Sequence, residues 1–223
     1  MSGLSQEQFL APIVLSLQVS LLSGVFVFFA AAAVAKGMSR ARFPGKTAVE
    51  TLLLLPLVLP PTVVGFVLLL GLGRRSWLGR MAEWLFDQTI VFTWQAAVIA
   101  ACVVAFPLVY QTMKTGFASV DPDLEDAARS MGGGEWHVFW YITLPLARRA
   151  LVTAFVLGFA RGLGEFGATL MIAGNIPGRT QTVPTAIYVA VESGNMTLAW
   201  LWTGSIIVIS YALLLFVSWK KDG

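Results

Sequence analysis

Arg161 and Glu165 are the charged residues of an otherwise apolar stretch, FARGLGEFGATL. On a helix they lie four residues apart, so their side chains can pair. Charges inside an apolar span are costly, and they usually face a bundle interior or a water-filled cavity. Two interpretations are equally open. Arg161 could offer positive potential to an anion on a transport path, with Glu165 limiting how tightly the anion binds, or the pair could fix helix packing.

Other patterns that would carry covalent chemistry are incomplete. Gly162–Gly167 spells G-x-G-x-x-G, but a dinucleotide site needs a strand before it and a βαβ unit around it. Pro-Gly-Lys-Thr at 44–47 ends like a P-loop, yet Arg40 occupies the position of the required glycine. The single histidine, His137, and the single cysteine, Cys102, lie far apart in sequence. We expect no catalytic residue, no metal site and no cofactor bound by this chain.

The composition indicates a membrane protein. The 223 residues are 57% hydrophobic and 12% charged, with a mean hydropathy of +0.77, whereas a soluble domain has roughly 25% charged residues. The net charge of +3 is better explained by basic cytoplasmic loops than by nucleic acid.

Five apolar segments are long enough to cross roughly 30 Å of hydrocarbon as helices. Their expected bounds are 12–35, 48–71, 89–113, 148–173 and 198–219. An aromatic and basic segment at 73–88 is expected to lie at the membrane surface, and 175–195 is expected to be a polar loop. The fold class is therefore all-α: a single integral membrane domain over residues 1–223 with about five transmembrane helices.

The second of these spans contains three prolines, in the run LLLLPLVLPPTVVG. Proline removes a backbone donor and breaks or kinks a helix. Broken backbone at membrane depth is tolerated where it is buried in protein or lines a water-filled cavity. Pro60, Pro61 and Thr62 are therefore candidates for the translocation path together with Arg161 and Glu165, and a purely structural kink is an equal alternative.

The basic residues predict the orientation. Most of the 15 Lys and Arg residues lie on the side of the membrane that carries 36–46, 115–147 and the C-terminus. The positive-inside rule places that side in the cytoplasm, which leaves the N-terminus outside. The arginines of 73–88 run against the rule, so they could attract an anion or a binding protein, or anchor to lipid phosphates.

The longest polar interruption between apolar segments reads DPDLEDAARSMGGGEWHVFWYITLP. Asp121 is a good N-cap, and Pro122 fits the first helical position. Apolar residues then recur at the spacing of one helix face: Leu124, Ala127, Ala128 and Met131. The glycines at 132–134 would end this short helix. A second short turn is expected at 136–141, and Pro145 falls where the next long helix would begin.

This interruption resembles a motif of the binding-protein-dependent ABC importer permeases. The motif is an acidic residue, Ala-Ala, three residues, Gly, nine residues, Ile, any residue and Leu-Pro, and every spacing is kept. The resemblance implies that residues 115–147 form a cytoplasmic coupling loop that docks on an ATPase subunit. The residues that would take part are Glu125, Asp126, Ala127, Ala128, Gly132, Ile142, Leu144 and Pro145. Asp126 stands where the family usually has Glu, so either it or the preceding Glu125 could meet the ATPase.

Three further segments resemble the permeases of molybdate importers, in the same order and at similar separations. They are LPLVLPPTVVGF, FARGLGEFGATL and GNIPGRTQTVPTAIY. GEFGA is shared with sulfate and tungstate permeases, whereas NIPG favours molybdate. A sulfate or tungstate permease therefore stays open, and so does an ion-coupled carrier that acts without partners, although a carrier would not explain the coupling motif.

The resemblance also implies an assembly. A homodimer in the bacterial inner membrane would enclose the substrate path between its two copies, in contact with membrane lipid. Two cytoplasmic ATP-binding subunits would hold ATP and Mg, and a periplasmic oxyanion-binding protein would deliver the substrate.

Overall fold

The structure is a computed structural model that describes residues 6–222, so the first five residues and Gly223 of the expected domain lie outside it. The described residues form eleven α-helices and no strand. The helices are α1 (Gln6–Arg40), α2 (Lys46–Val58), α3 (Pro61–Leu72), α4 (Trp77–Phe86), α5 (Trp94–Ala118), α6 (Pro122–Ser130), α7 (Glu135–Val138), α8 (Leu144–Leu163), α9 (Gly167–Ala173), α10 (Val183–Glu192) and α11 (Met196–Asp222). A π-helical turn at Phe139–Thr143 joins α7 to α8.

The number of membrane spans agrees with the expected five. Four helical segments are long and apolar enough to cross a membrane: α1, α5, residues 135–163 and α11. The pair α2 and α3 becomes a fifth span if it is counted as one broken helix. The all-α membrane fold expected from the composition is therefore confirmed.

Helices α1, α5 and α8 pack together as the centre of the bundle. Small side chains allow this close packing: Ala31, Ala35, Ala105 and Ala154 are fully buried. Small residues let helix backbones approach closely where no hydrophobic effect drives association. Within residues 115–147, the expected coupling loop, α5 ends and α8 begins, and α1 ends at Arg40, which contacts Glu125 of the same segment.

The proline-rich span is broken as expected. Helix α2 ends at Val58, α3 begins at Pro61, and the two axes differ by 111°. Leu59 between them is extended, with φ −69° and ψ 140°. Pro61 occupies the first turn of α3, where a backbone donor is not needed.

The expected fourth span, 148–173, is not one helix. It begins earlier, at Leu144, and stops at Leu163, and a separate short helix, α9, covers Gly167–Ala173. Phe166 between them has φ −125° and ψ −60°, which is outside the helical region. Glu165 therefore lies in a break, and the expectation that it shares a continuous helix with Arg161 was wrong.

The expected polar loop at 175–195 contains a helix, α10. Its burial explains the helix, because Val183, Ala186 and Ala190 pack with α11 in one apolar cluster. The backbone N–H of Val183 donates to Ser16 Oγ of α1 at 2.7 Å. The expected third span is also shifted: it begins at Trp94, after Thr93 caps it, and continues to Ala118.

The 73–88 segment forms α4, an amphipathic helix. Ser76 caps it by accepting a hydrogen bond from Gly79 N–H at 2.8 Å. Trp77 and Trp84 are exposed, and Arg74 forms an ion pair with Glu83 at 3.2 Å. An exposed aromatic face beside arginines is typical of a helix at a membrane interface.

Candidate functional site

The first helix of the expected coupling loop (residues 115–147), α6, forms as its sequence predicts. The carboxylate of Asp121 accepts a hydrogen bond from Asp123 N–H at 3.0 Å, and Pro122 follows it. At the other end Gly133 N–H donates to Ala128 O at 3.0 Å, and Gly132 has φ +91°. An N-cap of this kind stabilises a helix by about 1 kcal/mol.

Glu125 is buried inside the coupling loop, although it is a carboxylate on a short polar helix. Its side chain is 1% exposed. Oε1 accepts hydrogen bonds from Thr143 Oγ1 at 2.6 Å and from Lys36 Nζ at 3.4 Å. Oε2 accepts from the guanidinium of Arg40, and from Arg129 Nη2 at 3.5 Å. The carboxylate thus joins α6 to the end of α1 and to the π-helical turn.

The surroundings of Glu125 keep it ionised. Burial alone would raise the pKa of this carboxyl, because it removes water from the charged form. The hydrogen bond from Thr143 and the positive charges of Lys36 and Arg40 outweigh burial, so the pKa of Glu125 lies below its ordinary value.

Asp126, the next residue, points to the surface. Its side chain is 69% exposed and forms an ion pair with Arg129 Nη1 at 2.5 Å. The same guanidinium reaches Glu135 Oε1 through Nε at 2.6 Å. Exposed pairs like these contribute little to stability. Of the two adjacent carboxylates, only Asp126 is available to another protein in this structure.

The rest of the motif is divided between surface and interior. Ala127, Gly132 and Pro145 are exposed, whereas Ala128, Ile142 and Leu144 are half-buried. Large apolar side chains around them are exposed on the same loop: Leu124, Met131, Trp136, Trp140 and Tyr141. An exposed apolar patch of this kind is typical of a surface that contacts another protein or the membrane.

The π-helical turn places Thr143 where it can hold Glu125. Thr143 is fully buried, and Leu144 N–H donates to Phe139 O, the five-residue spacing of a π turn. Such turns occur frequently at functional sites. Sequence reasoning missed Thr143, Lys36 and Arg40 as parts of this site. The basic composition of 36–46 indicates a negatively charged partner, but it does not show that the partner is Glu125.

Arg161 and Glu165 pair across the break between α8 and α9. Arg161 Nη1 donates to Glu165 Oε2 at 2.7 Å. Glu165 Oε1 accepts a hydrogen bond from Ala168 N–H at 2.8 Å, so the carboxylate also caps α9. The Glu165 side chain is 2% exposed and that of Arg161 is 29% exposed. The guanidinium is therefore the accessible member of the pair.

The break beside Glu165 meets the break in the second span. A Cβ added at Gly167 would lie 3.2 Å from Pro61 Cβ and 3.3 Å from Thr62 Cγ2. A Cβ at Gly65 would lie 2.7 Å from Ala168 Cα. The structure therefore brings Pro61 and Thr62 to the start of α9. Pro60 and Thr62 themselves are exposed at the surface of the chain.

Across residues 6–222, the His, Cys, Asp and Glu side chains form no group of three that could hold a metal ion.

Comparison with known proteins identifies the family. The model of the family described as "Binding-protein-dependent transport system inner membrane component" matches residues 27–219. The chain belongs to this family of multi-pass inner-membrane permeases.

The relatives of this chain include proteins named as molybdenum permeases and as sulfate permeases. The chain is 46% identical to the molybdenum transport system permease protein ModB of Escherichia coli (strain K12), over 81% of this chain and 79% of that protein. It is 56% identical to YvgM of Bacillus subtilis (strain 168), to which a molybdenum permease role is provisionally assigned, over 99% of this chain and 97% of that one. A sulfate transport system permease protein of Synechococcus elongatus is 34% identical over 83% of this chain and 66% of its own length.

Solved structures share the fold at low sequence identity. One is a bacterial alginate ABC transporter in complex with its alginate-bound periplasmic protein, with a TM-score of 0.75 and 19% identity over 96% of this chain and 78% of that chain. Another is the MetNI methionine ABC transporter in an inward-facing conformation, with a TM-score of 0.71 and 14% identity over 96% of both chains. At these identities the likeness concerns the fold alone.

Proposed function

We propose that this chain is the permease subunit of an ATP-driven importer that moves molybdate across the inner membrane. The observation that carries the proposal is its similarity to molybdenum permeases, at 46% identity over 81% of the chain and 56% over 99%. The coupling motif and both helix breaks lie within the longer of these alignments. The substrate would be an oxyanion delivered by a periplasmic binding protein.

The mechanism would be alternating access. Two copies of the chain would enclose the path, and each coupling loop would dock on a cytoplasmic ATPase subunit that holds ATP and Mg. Closure of the ATPase pair would draw the loops together and open the path outward, and hydrolysis would reset it inward. The permease itself would supply a two-state element that nucleotide and the loaded binding protein bias, and it would perform no covalent chemistry.

The exposed surface of the loop supports the docking part of this proposal. Asp126 offers a charge, while Ala127 and Gly132 offer small surfaces that another backbone could approach. The neighbouring tryptophans supply apolar area that α6 and α7 leave uncovered in this chain. With the loop in the cytoplasm, the N-terminus would be periplasmic and the C-terminus cytoplasmic.

The meeting point of the two helix breaks is the candidate path. The break between α2 and α3 contains Pro60 and is followed by Pro61 and Thr62. The break between α8 and α9 contains Glu165, which pairs with the partly exposed Arg161. Arg161→Ala is expected to reduce molybdate uptake about tenfold, because a desolvated anion would lose the positive charge that Arg161 places in this break. Arg161→Lys should retain part of the activity. Loss of the assembled complex in both variants would instead assign the pair to packing.

The direct test is uptake of labelled molybdate by vesicles that contain this permease, its ATPase and its binding protein. Saturable uptake that needs ATP and all three components, and that excess sulfate does not block, is the expected result. Competition by tungstate would leave molybdate and tungstate as joint substrates. Uptake abolished by sulfate would change the substrate but keep the mechanism, and uptake without ATP or partners would favour an ion-coupled carrier.

A further inference from the structure

We infer that Glu125 is a positioning residue that fastens the coupling loop to the end of α1, so that a movement of the loop is passed along α1 to the opposite side of the bundle. The inference rests on the proposed function, in which the ATPase subunit moves the loop. It gives Glu125 an internal role that differs from the surface role of Asp126.

The Glu125 carboxylate lies buried between three segments of the chain. Glu125 accepts hydrogen bonds from α1, from the π-helical turn and from its own helix, and it has almost no contact with solvent. A fully buried carboxylate is costly unless it is paired and hydrogen-bonded. Both oxygens of Glu125 are satisfied, which holds α6 in one register against two other segments.

Helix α6 has few other attachments to the described part of the chain. It packs on α7 and on the π-helical turn, while Leu124 and Met131 face outward. Arg40 strengthens the connection to α1 because its Nη2 also reaches Val120 O, just before α6, at 3.5 Å. Charge-assisted bonds have a preferred geometry, so this junction resists sliding better than an apolar contact would.

The other end of α1 is bonded to α10 and α11. Ser16 Oγ accepts the Val183 N–H at the start of α10, and Phe9 O accepts a hydrogen bond from Trp202 Nε1 of α11 at 3.1 Å. At 1.5 Å of rise per residue, Ser16 and Arg40 are about 36 Å apart along the helix axis. One continuous helix thus connects the coupling loop to two elements at the far end of the bundle.

A substitution that tests the role of Glu125 in joining α6 to α1 should leave the protein folded. The side chains of Lys36 and Arg40 are 31% and 37% exposed, so water can solvate them once the carboxylate is neutralised. Glu125→Gln keeps the shape of the side chain, removes its charge and replaces one acceptor oxygen with an NH2 donor. Asp123→Asn is the matched control, because it removes the same charge from the exposed face of the same helix.

The experiment uses the whole transporter in vesicles and measures molybdate uptake and ATP hydrolysis in the same preparation. Glu125→Gln is expected to hydrolyse ATP within about twofold of wild type, while molybdate transported per ATP falls roughly tenfold, within the range usual for coupling between two sites. Arg40→Gln should lower the same ratio, and the double variant should lose less than the two single losses combined, because both substitutions remove the Arg40–Glu125 ion pair. Hydrogen exchange of α6 amides should become faster in Glu125→Gln.

An unchanged ratio of molybdate to ATP in Glu125→Gln would overturn the inference. So would a proportional loss of uptake and hydrolysis, since the residue would then serve docking or folding. If the wild-type complex transports no molybdate, the proposed function fails, and the exchange measurement decides the inference separately. Faster exchange of α6 would support the attachment to α1, and unchanged exchange would refute it.

Discussion

Glu125 and Asp126 are adjacent in sequence and have opposite surroundings in the structure. Successive residues on an α-helix are about 100° apart around the axis, so one carboxylate faces the bundle when the other faces solvent. Glu125, the inward one, contacts Lys36, Arg40, Arg129 and Thr143. Asp126, the outward one, pairs with Arg129. The two residues are therefore expected to respond differently to pH and to substitution.

The stabilisation that Glu125 provides should depend on pH in a defined direction. Its pKa is lower in the folded protein than the ordinary value of 4.5, so the folded state favours the ionised form. The difference in unfolding temperature between wild type and Glu125→Gln should be constant above that value and should shrink as the pH falls below it. Thermal unfolding of both proteins in detergent, from about pH 7 down to well below pH 4.5, measures this. A difference that grows in acid would contradict it.

Gly132 should be sensitive to substitution because of its backbone. Its φ of +91° is a conformation that residues with a Cβ disfavour by about 1–2 kcal/mol. Gly132→Ala should therefore distort the end of α6 and reduce uptake, with the protein still inserted in the membrane. Gly134→Ala is the control, because Gly134 has φ −69° and open space around its Cβ position. Equal loss in both variants would show that loop flexibility, and not this dihedral angle, matters.

At the scale of the elements, the contact between α3 and α9 depends on Gly65. A Cβ at this position would lie 2.7 Å from both Ala168 Cα and Met171 Cβ. Gly65→Ala should force the two helices apart at a cost of about 1–3 kcal/mol and lower the unfolding temperature. Gly71→Ala in the same helix meets no atom within 4 Å and should have no destabilising effect. Thermal unfolding of the two variants checks this, and equal stability would contradict it.

The elements also show what the sequence could predict. Asp121, Pro122 and the glycines at 132–134 act through local backbone preferences, so the bounds of α6 could be predicted from them. Helix α10 and the break before α9 depend on contacts between distant residues, such as Val183 with Ser16, and an apolar window cannot reveal these. The adjacency of Glu125 to Lys36 and Arg40 was hidden for the same reason, since 85 residues separate Arg40 from Glu125.

At the scale of the whole molecule, much apolar surface stays uncovered in the single chain. In the apolar window of α11 only 11% of residues are buried, and Leu52, Val58 and Phe66 of α2 and α3 are exposed. In the assembly that we propose, lipid and a second copy of the chain would cover these apolar surfaces.

The proposed orientation can be tested by chemical labelling. In a Cys102→Ser background, Ser193→Cys lies after α10 and Ser130→Cys lies at the end of α6. An impermeant maleimide added to intact spheroplasts should label position 193 and leave position 130 unlabelled until the membrane is opened. The reverse pattern would place the coupling loop outside and would exclude its docking on a cytoplasmic ATPase.

Helix α1 is bonded near one end through Ser16 to Val183 and at the other through Arg40 to Glu125, and these two bonds restrict changes in its length during evolution. Inserting or deleting one residue between Ser16 and Arg40 would rotate one end of the helix by about 100° relative to the other. Ser16 could then not meet α10 while Arg40 meets Glu125, whatever residue was inserted. Point substitutions along α1 should therefore be tolerated more readily than changes in its length. Natural insertions in homologous permeases should instead accumulate in segments such as 41–45, which follow the Arg40–Glu125 bond in sequence.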